Sequence, residues 1–467
     1  MTDISSVGIQ GTIVTPSSPD YDDSIKRVSA TSVLKPSYVV FPTSASDISK
    51  AVQYATSHSP PLEIAVKSGG CHTSTNSSSE GGLVVDLAKL NKITVAEDKQ
   101  SVTIQGGARW GQVYEELDKH GLVCVGGNVH FVGVGGFLTG GGYSNLSGHY
   151  GLAIDNLLSA TVILADGSVV KTDKDHEPDL FWAIRGGGNQ FGIVADFTVK
   201  TYPAHGSATV GALGYPGTEL ANVVQAVKKF TAQQTPGQWL IMTFARAPPE
   251  FYPSILLLPY IEGTPEEGEK ALEPLKTDVK PVFEQIFSAP NFNTVSHGAD
   301  AMLAHIPPRA ATGGATFTDI WDDVVGQIFG EWAAFTDPSV DAGDRLQSVI
   351  MWEFPYREKI ASVPSDATAF PLRVPHSYVV ATARYSKPDS DKVAKDWSAK
   401  VTKIVRDAQK SRGGKALPSP ANFSLGPDYD TAEEVYGDNL PRLKKVKAKY
   451  DPKKVWRKGW VIEPDFN

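Results

Sequence analysis

Glycine is concentrated in one stretch of this chain, and this feature constrains the fold more than any other. Nine of the 23 residues from Gly126 to Gly148 are glycine, and another run follows at Gly186 to Gly192. Glycine lowers the stability of regular structure because it loses more conformational freedom on folding than other residues. We therefore expect these runs to lie where the backbone packs closely against a bulky ligand.

The glycine runs do not match the common nucleotide-binding motifs. In the segment Gly133-Val-Gly-Gly-Phe-Leu138, the third glycine of the dinucleotide-binding pattern is missing. No glycine run ends in Lys-Ser or Lys-Thr, as a phosphate-binding P-loop does. The sequence therefore predicts another mode of ligand contact.

Bulk composition excludes several classes of protein. The chain has 467 residues, which is too long for one core and predicts two to three domains. Its net charge of −8, with dispersed Lys and Arg, excludes a basic surface for nucleic acid or an anionic membrane. No run of about 18 apolar residues occurs, and the start at Met1 lacks a secretory signal, so we expect a cytoplasmic protein. Nothing in the sequence indicates an oligomeric state.

Metal-binding motifs are also absent from the sequence. The ten histidines are dispersed, and neither H-E-x-x-H nor paired C-x-x-C occurs. We therefore expect no metal site.

The first part of the chain alternates short strands and helices over residues 33–204. Ser44 is an N-cap residue, and Ile48, Ala51, Val52 and Ala55 follow with the spacing of an apolar helix face. The dipeptide Asp166-Gly167 predicts a hairpin turn between strands at 161–170.

The second part, residues 205–425, predicts an antiparallel sheet backed by long helices. Strands are predicted at 254–260, 346–354 and 377–385, and helices at 220–230, 321–335 and 393–408. A final helix is predicted at 440–450. The predicted fold class is α+β, with a ligand-binding domain over 1–204, a substrate domain over 205–425 and a C-terminal segment, 426–467, that returns to the first domain.

The loop Lys67-Ser-Gly-Gly-Cys-His-Thr73 follows a predicted strand. Consecutive backbone N–H groups in such a glycine-rich turn form a concave anion site that suits a pyrophosphate. A neutral imidazole at His72 can also act as a nucleophile. The alternative is a tight turn with an incidental histidine.

Taken together, the motifs resemble the berberine-bridge-enzyme-like FAD-linked oxidases, of the fungal and bacterial type. The matching segments are Val66-Lys-Ser-Gly-Gly-Cys-His72, Gly133-Val-Gly-Gly136, Gly140-Gly-Gly-Tyr143, Tyr150-Gly-Leu-Ala-Ile-Asp-Asn156, Gly187-Gly-Asn-Gln-Phe-Gly-Ile193, Tyr436-Gly-Asp-Asn-Leu-Pro-Arg-Leu443 and Lys449-Tyr-Asp-Pro452. The resemblance covers nearly the whole chain in the right order. It implies the PCMH-type (vanillyl-alcohol-oxidase-like) FAD-binding domain, with its core over 33–204.

The resemblance implies that His72 is bonded to the 8α carbon of FAD. Cys71 departs from the family pattern, because it stands where the loop usually has a third glycine. The cysteine of a second flavin bond is replaced by Val129, and Cys124 is expected to be a buried, inert thiol, so single attachment is predicted. Val132 matches a position where valine admits oxygen, which favours an oxidase.

Further residues match family positions along the cofactor or in the C-terminal segment that folds back onto it. With the loop after Val66, the predicted FAD site comprises Lys67, Ser68, Gly69, Gly70, Cys71, His72, Thr73, Val132, Gly135, Gly136, Gly142, Gly148, Asn156, Ile193, Tyr436 and Asn439.

The catalytic base does not follow from the resemblance. Positions where relatives carry a glutamate or a tyrosine match Val379 and Phe423 here. Glu353, Tyr378 and Tyr385 are the substitute candidates. Strand alternation places Ser377, Val379, Ala381, Ala383 and Tyr385 on one face, which we interpret as an apolar substrate wall.

The predicted function is oxidation of a small, apolar secondary metabolite by hydride transfer to flavin N5, with molecular oxygen reoxidising the flavin to give hydrogen peroxide. Three alternatives stay open: a non-redox cyclase with a structural flavin, a carbohydrate oxidase, and a flavin-binding protein without catalysis.

Overall fold

Four short strands form the first sheet of the computed structural model, which describes residues 3–246 and 250–467. The strand order is β1-β2-β4-β3; β2, β4 and β3 are parallel, and β1 joins one edge in the antiparallel sense. Parallel strands are covered on both faces, which explains the continuous apolar runs here. The strands are β1 Thr12–Val14, β2 Tyr38–Phe41, β3 Ile64–Lys67 and β4 Leu83–Asp86.

A second, antiparallel sheet follows with the order β5-β6-β10-β8-β9. Its strands are β5 Ile93–Val95, β6 Ser101–Gln105, β8 Leu157–Ile163, β9 Val169–Asp173 and β10 Ile193–Lys200. β8 and β9 form the hairpin predicted around Asp166-Gly167. A short pair, β7 Leu122–Val123 with β11 Tyr202–Pro203, ends this part of the chain.

The third sheet has seven strands, and all its neighbours are antiparallel. Their order is β15-β12-β14-β13-β17-β18-β16. The strands are β12 Ala208–Pro216, β13 Gln238–Arg246, β14 Pro253–Glu262, β15 Phe283–Ala289, β16 Arg309–Phe317, β17 Val349–Pro355 and β18 Ser377–Tyr385.

The α-helices connect these strands or pack on the sheets. They are α1 Tyr21–Ser24, α2 Ala45–Thr56, α3 Trp110–Asp118, α4 Val134–Thr139, α5 Ser147–Tyr150, α6 Pro178–Ile184, α7 Leu220–Ala232, α8 Pro265–Lys276, α9 Phe292–Ser296, α10 Asp300–Leu303, α11 Asp322–Phe335, α12 Glu358–Ala361, α13 Asp391–Arg412, α14 Ala432–Tyr436 and α15 Leu440–Tyr450. Within the described residues, none of these helices combines the length and the apolar character that crossing a membrane requires.

Helix α2 illustrates how local sequence sets an element. The Ser44 hydroxyl accepts a hydrogen bond from the Asp47 backbone N–H at 3.1 Å, which caps the helix as predicted. Ile48, Ala51, Val52 and Ala55 are fully buried on its inner face.

The two faces of the seven-stranded sheet have different partners. One face carries Leu240, Trp352, Val379 and Ala381, which share a hydrophobic core with side chains of α7, α8, α11 and α13. The other face carries Tyr378 and Val380, among others, and belongs to the core of the N-terminal part of the chain. The sheet therefore separates a helix layer from the N-terminal part.

The C-terminal segment returns to the N-terminal part of the chain. The Lys447 ammonium is fully buried, where it pairs with Asp451 at 2.7 Å and donates to the Gln190 and Trp456 carbonyls. A buried cation needs such partners, so this set holds α15 in place. The predicted α+β class, with an antiparallel sheet backed by helices, is confirmed. The domain limits at 204 and 425 stay a prediction, although the sheets change between Pro203 and Ala208.

Two glycine loops make direct backbone contact. A Cβ placed on Gly133 would lie 2.1 Å from the Gly69 nitrogen, and a Cβ on Gly69 would lie 2.4 Å from the Gly133 nitrogen. Real side chains cannot occupy such positions, so the loop after β3 and the loop before α4 touch only because both residues are glycine.

We expect Gly133→Ala to separate these loops and to lower the free energy of unfolding by about 1–3 kcal/mol, the usual cost of overpacking. The control is Gly330→Ala in α11, where the added Cβ meets nothing within 4 Å. Because alanine stabilises an exposed helix, this variant should gain about 0.5–1 kcal/mol. Urea unfolding measures both; equal midpoints for the two variants would contradict the loop contact.

Candidate active site

The loop after β3 presents a row of backbone N–H groups without acceptors. From Gly69 to Thr73, none of the backbone N–H groups donates a hydrogen bond within the described part of the chain. Ser68 fixes the loop, because its hydroxyl donates to the Gly106 carbonyl at 2.6 Å and accepts the Gly135 N–H at 3.1 Å. Such a turn of free N–H groups fits the pyrophosphate of a dinucleotide.

Positive charge flanks the same loop. The side chains of Lys67 and Arg27 lie 3.1 Å and 3.0 Å from the position that a Cβ on Gly70 would take. Lys67 pairs with the buried Asp86 at 2.7 Å. Burial lowers the pKa of Arg27 to about 10, so it keeps its charge at neutral pH. Because Asp86 compensates the charge of Lys67, Arg27 supplies the net positive charge that favours an anionic group near the loop.

His72 is held as a neutral imidazole. Its Nδ1 accepts the Ser74 N–H at 3.1 Å, and its Nε2 is buried without a hydrogen-bond partner among the described residues. Burial lowers the pKa of His72, and the Ala421 backbone and the Asp430 charge offset this only in part. Because Nδ1 accepts a hydrogen bond, the neutral ring carries its proton on Nε2, and this proton has to leave when the imidazole bonds to a flavin carbon.

Trp460 brings the C-terminal segment to His72. Its ring lies edge-on to the imidazole, with the centroids 6.2 Å apart. The Trp460 carbonyl and the Gly187 carbonyl both lie 3.4 Å from the Tyr436 hydroxyl. Tyr436 therefore ties the segment to the glycine run at 186–192, as the predicted fold-back requires.

The predicted cofactor residues occupy different environments. Gly136 is exposed and has open space at its Cβ position, whereas Gly135 packs on Ser68. Gly142 has a φ of +80°, a backbone conformation that favours glycine. Cys71 contacts the Phe131 carbonyl through its thiol, whose pKa is raised by burial. Thr73 accepts the Thr312 N–H at 3.1 Å, so the loop touches β16.

Other predicted cofactor residues are engaged by the protein itself. Gly148 packs against the Pro236 carbonyl, which its added Cβ would approach to 2.1 Å. Asn156 donates to the Tyr150 and Leu152 carbonyls and accepts from Tyr202. Contacts of these two residues with a cofactor stay predictions.

The remaining predicted cofactor residues are Ile193, Asn439 and Val132. The Ile193 side chain lies in the core beside α2, so a contact with FAD would come from its backbone. Asn439 donates to three carbonyls of the loop at 365–369. Val132 is partly buried in the loop before Gly133. Their roles at FAD stay predictions too.

The proposed apolar wall on β18 is wrong in its orientation. Val379, Ala381, Ala383 and Tyr385 do share a face, but that face is covered by the helix layer. Alternation separates the two faces of a strand without indicating which one a helix covers. Tyr385 is thereby removed as a catalytic candidate, and a glutamate at position 379 would also point away from the N-terminal part.

Tyr378 lies on the opposite face, at the junction between the sheet and the N-terminal part of the chain. Its ring stacks on Phe423 at 5.3 Å and lies 4.7 Å from the ring of Tyr143, which follows the glycine run at 140–142. Asn422, next to Phe423, donates to the Gly136 carbonyl at 3.2 Å. The loop at 418–424 therefore links Tyr378 to the glycine loops.

Glu353 is the cross-strand neighbour of Tyr378 on the same face. It is 8% exposed, and its carboxylate accepts the Trp239 indole N–H at 2.6 Å. Burial raises the pKa of Glu353 to about 7, although the hydrogen bond from Trp239 opposes this shift. A carboxyl group with this pKa can take up or release a proton near neutral pH.

Sequence reasoning missed a second polar pair beside Tyr378. The Tyr143 hydroxyl lies 2.6 Å from His376 Nε2, while His376 Nδ1 lies 2.7 Å from the Val374 carbonyl. Burial lowers the pKa of His376 to about 4, so its Nδ1–H donates to the carbonyl and its Nε2 accepts from Tyr143. The partners are 233 residues apart, and only the motif Gly140-Gly-Gly-Tyr143 drew attention to one of them.

Cys124 is fully buried, and burial raises the pKa of its thiol to about 12, in agreement with the predicted inert cysteine.

Comparison with known proteins adds to this geometry. The FAD binding domain family matches residues 36–173, and the berberine and berberine-like family matches residues 419–459. The FAD-linked oxidoreductase pgmH of Aspergillus terreus is 30% identical over 98% of this chain and 94% of the relative.

Two solved structures share the fold over almost their full length. The 6-hydroxy-D-nicotine oxidase of Arthrobacter nicotinovorans superposes with a TM-score of 0.85 at 23% identity, covering 99% of this chain and 100% of the other. The xylooligosaccharide oxidase of Myceliophthora thermophila superposes with a TM-score of 0.83 at 23% identity, covering 99% and 98%. At this identity they support the fold, and the PCMH-type architecture is confirmed.

The raised pKa of Glu353 predicts a pH dependence of stability. An unfolded chain releases this proton near pH 4.5, whereas the folded protein keeps it until about pH 7. The free energy of unfolding should therefore fall as the pH rises through this window, by on the order of 3 kcal/mol, and then level off. Glu353→Gln should remove this component. Urea unfolding from pH 4 to 8 measures it, and parallel curves for the two proteins would refute the assignment.

Proposed function

The chain belongs to the berberine-bridge-enzyme-like FAD-linked oxidoreductases, and from this membership we propose that it oxidises a small, largely apolar secondary metabolite at the junction of Tyr378 with the glycine loops. Bound FAD supplies the acceptor of a hydride from the substrate and passes the electrons to oxygen, which leaves as hydrogen peroxide. The observation that carries the proposal is the link from the His72 loop to the buried pair of Tyr378 and Glu353.

His72 holds the cofactor in this proposal through a bond to the flavin 8α carbon. The lowered pKa keeps the imidazole neutral, and the hydrogen bond from the Ser74 N–H to Nδ1 orients the ring. The proton on Nε2 would be released as the bond to the flavin carbon forms. The free N–H groups from Gly69 to Thr73 would receive the pyrophosphate, and Arg27 would offset part of its charge.

Aromatic side chains line the substrate side. The rings of Tyr378, Phe423, Tyr143 and Phe370 pack on one another, so they offer flat apolar surfaces with two hydroxyl groups. Such a lining suits an aromatic or alicyclic substrate that carries one O–H or N–H. It replaces the covered face of β18 as the basis for an apolar substrate.

Glu353 takes up the proton that the substrate loses with its hydride. Its carboxyl group is buried beside Tyr378 and has a pKa near 7, the range in which a general base works at neutral pH. Tyr378 positions the substrate O–H or N–H toward this carboxylate. Val132, in the loop before Gly133, matches the family position where valine admits oxygen, which supports oxygen as the final acceptor.

The covalent attachment predicts that yellow colour stays with acid-precipitated protein. His72→Ala should move all of the flavin to the supernatant, because no other described residue offers a neutral imidazole in this loop. Cys71→Ala is the matched control and should keep the colour in the pellet. Absorbance of both fractions near 450 nm decides; a yellow His72→Ala pellet would rule out His72 as the point of attachment.

The oxidase function predicts that a substrate bleaches the flavin. Anaerobic mixing with alcohols, phenolics, alkaloid-like amines and oligosaccharides should give reduction by one of the first three, and added oxygen should then yield one peroxide for each flavin. Turnover without bleaching would support cyclisation, and bleaching by oligosaccharides alone would support a carbohydrate oxidase. The absence of any turnover would support the alternative of a flavin-binding protein without catalysis.

Two tyrosines of the same strand provide the matched pair for this experiment. Tyr378→Phe should slow flavin reduction by about 10-fold or more, because it removes the hydroxyl group that positions the substrate O–H or N–H toward Glu353. Tyr385→Phe changes the same residue type on the helix-covered face and should leave the rate unchanged. Equal rates in both variants would place the substrate elsewhere.

A further inference from the structure

A cluster of two histidines and one glutamate lies where three separate segments meet. His149 is on α5, His205 lies between β11 and β12, and Glu262 is the last residue of β14. His149 Nε2 lies 2.7 Å and His205 Nδ1 lies 2.9 Å from the same carboxylate oxygen, Oε2. One nitrogen of each imidazole thus converges on a single carboxylate.

Two imidazole nitrogens and one carboxylate oxygen form a typical donor set for zinc. The three donor atoms of the cluster lie within 4.8 Å of one another. Zinc bonds of about 2.0–2.2 Å place tetrahedral donor atoms roughly 3.3 Å apart. The two nitrogens therefore need to move away from the glutamate oxygen by only about half an ångström to admit an ion.

We propose that His149, His205 and Glu262 bind a Zn²⁺ ion, with water in the fourth position. The site is independent of the proposed redox reaction, because none of its residues belongs to the His72 loop or to the Tyr378 junction.

Neighbouring hydroxyl groups orient the donors. The Tyr150 hydroxyl lies 2.5 Å from His205 Nε2, and the Tyr260 hydroxyl donates to Glu262 Oε1 at 2.8 Å. Tyr150 is itself held by stacking on Tyr202, with the ring centroids 3.6 Å apart. Outer hydrogen bonds of this kind fix the tautomer and direction of metal-binding side chains.

The proton balance allows an ion to enter. Without metal, each imidazole donates one N–H to Glu262, and Tyr150 donates to His205. With metal, the His205 proton moves to Nε2 and donates to Tyr150, while the His149 proton moves to Nδ1.

The site is accessible to an ion but protected from bulk water. The side chains of His149, His205 and Glu262 are 30%, 22% and 11% exposed. An ion can therefore enter past His149 and meet a nearly buried carboxylate.

A second histidine cluster lacks this convergence on one carboxylate oxygen. His130 and His297 stack with parallel rings 4.0 Å apart, and they contact different oxygens of Asp300. His297 and Asp300 are each 45% exposed. Because the two histidines contact different oxygens and two of the three side chains are exposed, we interpret this cluster as a solvated ion pair. It serves as the comparison site.

A zinc ion at the first cluster would fasten the N-terminal part of the chain to the seven-stranded sheet. α5 already meets this part of the chain nearby, where Gly148 packs against the carbonyl of Pro236 in the loop before β13. A ligand that binds only the folded protein stabilises it, so Zn²⁺ should raise the midpoint of thermal unfolding by a few degrees.

The test titrates Zn²⁺ into the full-length, FAD-loaded protein by calorimetry. His149→Gln places an amide near the Nε2 position, and His205→Asn places one near Nδ1. Both keep an N–H donor for Glu262 and lose the lone pair that binds metal, so the fold should survive. His297→Asn is the matched control in the comparison site.

We expect the unchanged protein to bind one Zn²⁺ for each chain. His149→Gln and His205→Asn should each weaken binding by more than about 100-fold, which is a larger loss than the removal of an outer hydrogen bond causes. His297→Asn should bind like the unchanged protein. No binding to the unchanged protein overturns the proposal, as does binding lost in His297→Asn but kept in the other two.

A spectroscopic measurement covers the case in which a variant fails to fold. Zinc-edge X-ray absorption of the unchanged protein should report two imidazoles and one carboxylate at about 2.0–2.2 Å. A shell of water oxygens alone would also overturn the proposal. None of these results depends on substrate oxidation.

Discussion

The backbone contact between Gly69 and Gly133 is the constraint on which the rest of the site depends. Each residue occupies the space that a Cβ on the other would need, with distances of 2.1–2.4 Å to backbone nitrogen. This contact sets the loop of His72 against the loop of Val132, and the Ser68 hydroxyl then bridges Gly106 and Gly135. The free N–H groups from Gly69 to Thr73 lie beside this contact, and burial keeps the neighbouring imidazole of His72 neutral.

The two faces of the seven-stranded sheet lie in different environments, and this difference determines where its polar side chains are found. One face is sealed by α7, α8, α11 and α13, and it contributes stability through apolar burial. The other face meets the N-terminal part of the chain and carries Glu353, Tyr378 and Trp239. Buried polar groups cost stability unless they are paired, and the Trp239–Glu353 hydrogen bond offsets that cost only in part. The remaining cost appears as the raised pKa of Glu353, and the proposed proton transfer to this carboxyl group relies on that shift.

Local elements and long-range contacts were predictable from the sequence to different degrees. The helix at Leu440–Tyr450 and the strand at Ser377–Tyr385 were predicted with their observed limits, since apolar periodicity and capping act over a few residues. Tyr385 was placed on the wrong side because alternation does not tell which face receives a helix layer. Tyr143 and His376 were not paired, and Trp460 was not placed near His72, because those contacts join distant parts of the chain.

By itself the sequence determined several of the helices and strands, the α+β class and the loop motifs that place this chain among FAD-linked oxidoreductases. These are properties of short segments, in which residue type and spacing act directly on the backbone. Only the tertiary structure decided which face of β18 meets the N-terminal part, and only it assembled the Tyr378 junction. It also brought His149 and His205 to Glu262, although the histidines are dispersed along the sequence and predict no metal site. The reason is that packing, rather than local spacing, sets the distance between side chains that are far apart in the sequence.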